Sequence, residues 1–156
     1  MRVNFTLLNC LLVSCLVPLA ASAQDAVKDN PAPVNCESRP GAPQWLPCGP
    51  DRAFSEAEAR GQFFRDGMVT KLVYTGGRTG KKYFAHFKPG GKLDSGPEGG
   101  HNVGKSWRFK GDHICRDYYR NSDVHCAAFE LQGTNLYLVG EDGTRSLVNS
   151  LEFAQP

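Results

Sequence analysis

The sequence predicts a mainly β (α+β) domain. One short N-terminal helix packs on an antiparallel up-and-down meander of seven or eight strands, which curls into a lipocalin-like barrel or half-barrel. Three observations carry that prediction. From residue 68 onward apolar residues recur at every second position, the period of a strand with one buried face. Turn segments, most of them containing glycine, interrupt this alternation every eight to twelve residues, as hairpins do. A single capping box, Ser55-Glu-Ala-Glu58, announces one helix just before the alternation begins.

Residues 1–23 read as a signal peptide. Arg2 precedes an uncharged apolar run from Phe5 to Leu19, and Ala21-Ser22-Ala23 has the small-residue pattern of a cleavage site. Cleavage after Ala23 leaves a mature chain that starts at Gln24 and is periplasmic or secreted. The run is too short and too interrupted to predict a transmembrane segment. Leu12-Val13-Ser14-Cys15 offers a second reading, a lipobox that anchors the chain by a lipid on Cys15. The residues after Cys15 stay apolar where a lipoprotein tether is polar, which favours plain secretion.

Residues 24–53 are rich in Pro, Gly and small polar side chains and read as an extended leader, ordered where a disulfide loop staples it. Within that loop Trp45 and Leu46 are expected to cover an edge of the core. The domain proper, 54–156, opens with the helix. It runs through AEARGQFF, stops near Asp66-Gly67, and turns Ala57, Gly61 and Phe64 toward one face. Gly61 weakens it by about 1 kcal/mol relative to Ala, so the helix depends on packing.

Strands follow near 68–75, 81–88, 91–95, 103–110, 113–119, 123–131, 134–140 and 144–153, joined by GGRTG, PGG, GPEGGHN, GD, RNS, QG and EDG. The expected inward set is Leu72, Tyr74, Tyr83, Phe87, Trp107, Phe109, Leu136, Leu138, Leu147 and Leu151. This frame disposes of one motif. GGHNVGKS, 99–106, fits the phosphate-loop pattern G-x-x-x-x-G-K-[ST], but that loop needs a helix after it to receive the phosphates. Here Lys105-Ser106 runs into the alternating segment Trp107-Arg-Phe-Lys110, so the match reads as a hairpin loop and no nucleotide is expected.

Four cysteines remain in the mature chain: Cys36, Cys48, Cys115 and Cys126. An even number in a small exported domain reads as two disulfides, and three pairings are open. Locality selects Cys36–Cys48 around a Pro/Gly-rich loop and Cys115–Cys126 around a hairpin. Each closure constrains the unfolded chain by about 3 kcal/mol. His113 and His125 lie nearby, but strand alternation turns His125 to the face opposite Cys126, and an oxidising compartment favours S–S over thiolates. No metal site and no cofactor is expected.

The segment 55–155 resembles a group of small exported proteobacterial proteins known as a domain of unknown function. The residues that carry the likeness are Tyr83-Phe84 with Gly90-Gly91, and Gly104-Lys-Ser-Trp107-Arg-Phe-Lys-Gly111-Asp-His-Ile-Cys115. Cys126 and the closing Gly140-Glu-Asp-Gly143 complete it. The resemblance implies a periplasmic or secreted location in a Gram-negative bacterium and a β-rich fold. It supplies no catalytic residues.

The formal net charge of +2 gives no global steering toward nucleic acid. Nine basic residues against two acidic ones between Lys71 and Lys110 leave room for a basic face toward an anionic envelope polymer. No serine elbow or zincin motif is present, and oxidised cysteines offer no nucleophile. His86, near Asp94 or Glu98, and the carboxylates Asp117 and Asp123 read more simply as surface and turn residues. A binding protein for an envelope protein, glycan or small apolar ligand is the expectation. A structural protein without a small ligand and a small hydrolase-type enzyme are the alternatives. The candidate contacts are Arg116, Tyr118, Tyr119 and Arg120 at a disulfide-braced hairpin, because Tyr and Arg are enriched at hot spots, together with Trp107 and His86. The interior decides among these classes: solid packing favours a structural role, and a cavity of a few hundred Å³ favours a carrier.

Overall fold

A computed structural model describes residues 41–156. The expected signal peptide, Cys15 and Cys36 lie outside the described residues. Among those described, the elements are β1 Arg52–Ala53, α1 Glu56–Phe63, β2 Val69–Thr75, β3 Lys82–Phe87, β4 Leu93–Pro97, β5 Gly104–Lys110, β6 His113–Tyr118, β7 Asn121–Gln132, β8 Asn135–Gly140 and β9 Arg145–Ala154. All strand pairs are antiparallel and, apart from the added β1, each of the eight strands expected from the sequence is present.

The sheet order is β4-β3-β2-β9-β8-β7-β6-β5, so the meander curls until its first strand, β2, pairs with its last, β9. The result is a curled half-barrel. Its two free edges, β4 and β5, approach one another along a seam held by the isolated bridge Lys92↔Ser106 and by the Val103 amide donating to the Ser95 carbonyl at 2.7 Å. Asn102 clamps the seam: its Oδ1 accepts from the amides of Ser95 at 2.8 Å and Gly104 at 2.9 Å. At Gly104 a Cβ would lie 2.8 Å from the Leu93 carbonyl oxygen. The glycine that completes the phosphate-loop pattern is therefore there for strand approach. The segment 98–103 bridges the seam; it is not the turn of a paired hairpin.

The helix is capped as expected. Ser55 Oγ accepts from the Glu58 amide at 3.3 Å, and the Ser55 amide donates to Glu58 Oε2 at 2.9 Å. Its buried face differs from the expected one. Ala59 and Phe63, four apart, are buried, Ala57 and Gly61 are exposed, and Phe64 packs on the core from the C-cap position. A shift of two residues, about half a turn, separates the two readings, and a mostly polar helix of eight residues carries too little apolar signal to set it. Thr70 Oγ1 donates to the Phe63 carbonyl at 2.8 Å, satisfying an orphan acceptor at the helix end.

The C-terminal half of α1 delivers Phe63 and Phe64 into one end of the barrel. Phe63 stacks on Phe129 and meets Phe54 edge-on; Phe64 stacks on Trp107 and meets Phe87, Phe109 and Phe129 edge-on. Burying a side chain such as Phe63 stabilises the fold by about 1.5–3 kcal/mol. Leu46 is buried and Trp45 packs beside it, so the end of the leader covers core as expected. The leader also contributes β1, whose Arg52–Ala53 pair with Leu131 and Glu130.

The inward set is nearly as expected, with one displacement. Leu72, Tyr74, Phe87, Leu136, Leu138 and Leu151 are buried, and Tyr83, Trp107 and Phe109 pack against them. Leu147 does not join them; Val148 does. Asn149 is the extra residue of a bulge, since Val73 pairs with Ser150 and Tyr74 with Val148. One added residue reverses the phase of every side chain beyond it.

Candidate functional site

The turns β3–β4, β5–β6 and β7–β8 lie at the end filled by aromatic rings. The other end is hollow. The β2–β3 loop, the β4–β5 crossing, the β6–β7 turn and the β8–β9 turn surround a cavity of about 650 Å³ that opens between them. Gly77 brings the β2–β3 loop so near β9 that a Cβ there would overlap the Arg145 carbonyl. Its amide donates to Ser146 Oγ at 3.2 Å, fixing the loop at the rim.

Arg116 is the chemical centre of this cavity. On β6 the residues Ile114, Arg116 and Tyr118 follow the inward phase. Ile114 fills the core, and Arg116 lines the cavity while only 8% exposed. Its Nη1 donates to the Tyr74 hydroxyl at 2.9 Å, and the guanidinium carbon lies 5.4 Å from the Tyr74 ring centroid. Its Nε is buried and, within the described residues, has no hydrogen-bond partner. Among the described residues no carboxylate pairs with it, so the cation is surrounded by neutral groups. Burial opposes the charge, the oxygens of Tyr74 and Tyr118 outweigh it, and the pKa lies above the ordinary arginine value. The Tyr118 phenol is pushed up, chiefly by burial, against the pull of Arg116.

Aromatic rings form much of the wall. Tyr83 stacks on Tyr74 with centroids 5.6 Å apart, and its hydroxyl shares a hydrogen bond with Thr79 Oγ1 at 3.2 Å. Tyr118 meets the His125 ring edge-on at 5.4 Å. Val103, Ala127 and Leu138 supply aliphatic surface. At the rim Arg78 is paired with Asp142, whose carboxyl the Thr144 amide and hydroxyl hold below the usual range.

The six residues proposed from the sequence separate here. Arg116, Tyr118 and Arg120 line the cavity. Tyr119, 70% exposed, turns outward and borders a neighbouring cavity of about 330 Å³ with Arg120. Trp107 belongs to the filled end, where its Nε1 donates to the Lys88 carbonyl at 2.9 Å. His86 is on the outer face beside Asp94 and Lys71, away from the mouth, and burial followed by the Lys71 charge lowers its pKa. Tyr74 and Tyr83 were legible as inward residues, though not as parts of a site.

Cys115 and Cys126 form a disulfide across β6 and β7, as expected. Cys126 lines the cavity wall. Cys48 is also disulfide-bonded, and its expected partner Cys36 lies outside the described residues. Asp117 and Asp123 do not make a pair of acids. Asp117 accepts from Ser106 Oγ at 2.7 Å and Arg108 Nη1 at 2.8 Å, which hold its carboxyl low, and Asp123 is an exposed residue of β7. Among the described residues no helix is long and apolar enough to cross a membrane.

Comparison with protein-family models, curated proteins and solved structures returns no match to this chain.

Proposed function

We propose that the protein is an exported binding protein of the bacterial envelope, periplasmic or secreted, that holds a small molecule in the open end of its barrel without transforming it. One observation carries this reading: a cavity of about 650 Å³ at one end of a barrel whose other end is packed solid. Ligand sites occupy about 300–1,000 Å³ and combine apolar walls with a few convergent polar groups, and this cavity has both. The Cys115–Cys126 bridge supports an oxidising compartment. The signal-peptide pattern and the resemblance to small exported proteobacterial proteins support export.

Native mass spectrometry of the mature protein, taken from its own cell envelope without reductant, tests the reading. The expected result is a non-covalent adduct of defined mass. A bare protein that also fails to bind any member of a small-molecule panel would overturn it. A second reading, a protein or glycan partner at the β6–β7 turn, is favoured by the exposure of Tyr119.

A further inference from the structure

We infer that the ligand is a small organic carboxylate, whose head group is received by Arg116 on the cavity wall and whose apolar body lies between the tyrosines and the aliphatic wall. The inference rests on reading the cavity as a ligand site and names the class of molecule it takes.

The argument begins with an imbalance. A buried guanidinium ordinarily has a carboxylate opposite it, because an uncompensated charge in a low-dielectric setting is costly. Among the described residues Arg116 has the Tyr74 hydroxyl on Nη1, while its buried Nε has no partner. The side chains beside it on paired strands are Trp107 and His125, and neither supplies a negative charge. The two carboxylates that line the cavity, Glu141 and Asp142, sit exposed on the β8–β9 turn, and Asp142 is engaged by Arg78 and Thr144. The fold thus places a fixed positive charge in a ligand-sized space and leaves it without a counter-charge.

The chemistry of the missing partner follows. A guanidinium offers planar, forked donors that match a carboxylate. A phosphate monoester carries more charge than one cation balances. The other cations lining the cavity are Arg78, already paired, and Arg120, exposed at the turn. A single cation among phenols and aliphatic side chains therefore favours a monoanion with an apolar body over a phosphoryl group. The Tyr74 hydroxyl, 2.9 Å from Nη1, is placed to share the head group, and Tyr118 lines the same cavity.

The test uses the disulfide-bonded mature protein and three matched sets of probes: hexanoate, decanoate and phenylpropionate, each beside its alcohol and its phosphate monoester. Titration calorimetry reads affinity and a thermal melt reads stabilisation. At least one acid is expected to bind about ten- to a hundredfold more tightly than its alcohol, the range of a charge-assisted hydrogen bond. In Arg116→Gln that ratio is expected to fall to near one while the alcohol's affinity is kept. Arg116→Lys, which retains the charge and loses the fork, is expected to fall between. Should Arg116→Gln not fold, the acid-to-alcohol ratio in the unaltered protein still decides. Equal binding of acid and alcohol overturns the carboxylate inference and leaves the cavity reading intact, as does tighter binding of the phosphate ester. Binding of no probe, together with a bare mass from the envelope, overturns both.

Discussion

Arg116 and Tyr74 are 42 positions apart in the chain, yet the guanidinium Nη1 donates to the phenolic oxygen at 2.9 Å inside the barrel. This contact joins β2 to β6, strands separated in the sheet by β9, β8 and β7. It spans the interior and ties opposite walls together just below the open end.

Tyr74→Phe keeps the ring and its stacking on Tyr83 but removes the acceptor that Nη1 has among the described residues. A buried donor left without a partner costs about 1–3 kcal/mol. Urea denaturation is expected to show a lower midpoint with an unchanged slope. An unchanged midpoint would mean that water already serves this guanidinium.

The Cys115–Cys126 disulfide braces the same wall by joining β6 to β7. Cys115 and Cys126 enclose a loop with a sequence separation of 11. Replacing both by serine is expected to destabilise the protein by about 3 kcal/mol in the chain-entropy model. Differential scanning calorimetry of the double variant checks this without reducing the bridge at Cys48.

Gly104→Ala tests the seam. A Cβ placed 2.8 Å from both the Leu93 oxygen and the Ser95 nitrogen must push β5 from β4. The expected loss is about 1–3 kcal/mol, the usual cost of overpacking. Lys105→Ala, one residue along and exposed, is expected to change stability by less than about 0.5 kcal/mol. A working phosphate loop would depend on the lysine in nucleotide titrations, whereas a strand seam depends on the glycine in melts.

His86 and Asp117 are two of the groups whose titration the fold shifts. His86 holds its proton less readily in the fold than at the ordinary value of 6.5, because of burial and then Lys71, with Asp94 opposing. The unfolded chain therefore binds the extra proton first as pH falls below that value. The stability due to this group is complete above it and is lost as pH drops toward the folded pKa. His86→Gln is expected to flatten the stability profile between about pH 7 and pH 5. Asp117, held low by Ser106 and then Arg108, acts with the same sign at lower pH, below the ordinary carboxylate range. Ser106→Ala is expected to move its titration upward, as read by carboxyl-carbon NMR.

Tyr119→Ala separates the two candidate surfaces. The side chain is exposed and lies outside the large cavity. Melting temperature and carboxylate affinity are expected to stay at their unaltered values. A lost pull-down partner with unchanged small-molecule binding would assign the turn to a second interaction.

Most of the fold was legible because the signals were local. Turn segments, most of them containing glycine, marked all eight barrel strands to within a few residues, and the Ser55–Glu58 pair marked the helix start. What escaped depended on distant registers. The bulge at Asn149 that replaces Leu147 by Val148 is set by pairing with β2, and nothing near 149 announces it. The two-residue strand β1 exists only because β7 offers it an edge. Arg116 was read as part of a hairpin tip with Tyr118, Tyr119 and Arg120. With Ile114 placed inward, alternation puts Arg116 inward as well, so the buried cation was derivable once the register of β6 was known. Its lack of a counter-charge was not, because the absence of a carboxylate from a three-dimensional neighbourhood leaves no mark on the order of residues.

The pairing of β2 with β9 bears on how the chain is delivered. Val69 on β2 pairs with Ala154 on β9, with every other barrel strand between them in the chain. A chain that has emerged only as far as β8 cannot close this sheet, because β2 waits for β9. The non-local pairing that slows folding also keeps the polypeptide open until β9 is released. For any chain that must pass a narrow pore unfolded, closure that waits on a distant strand is an advantage of the topology itself.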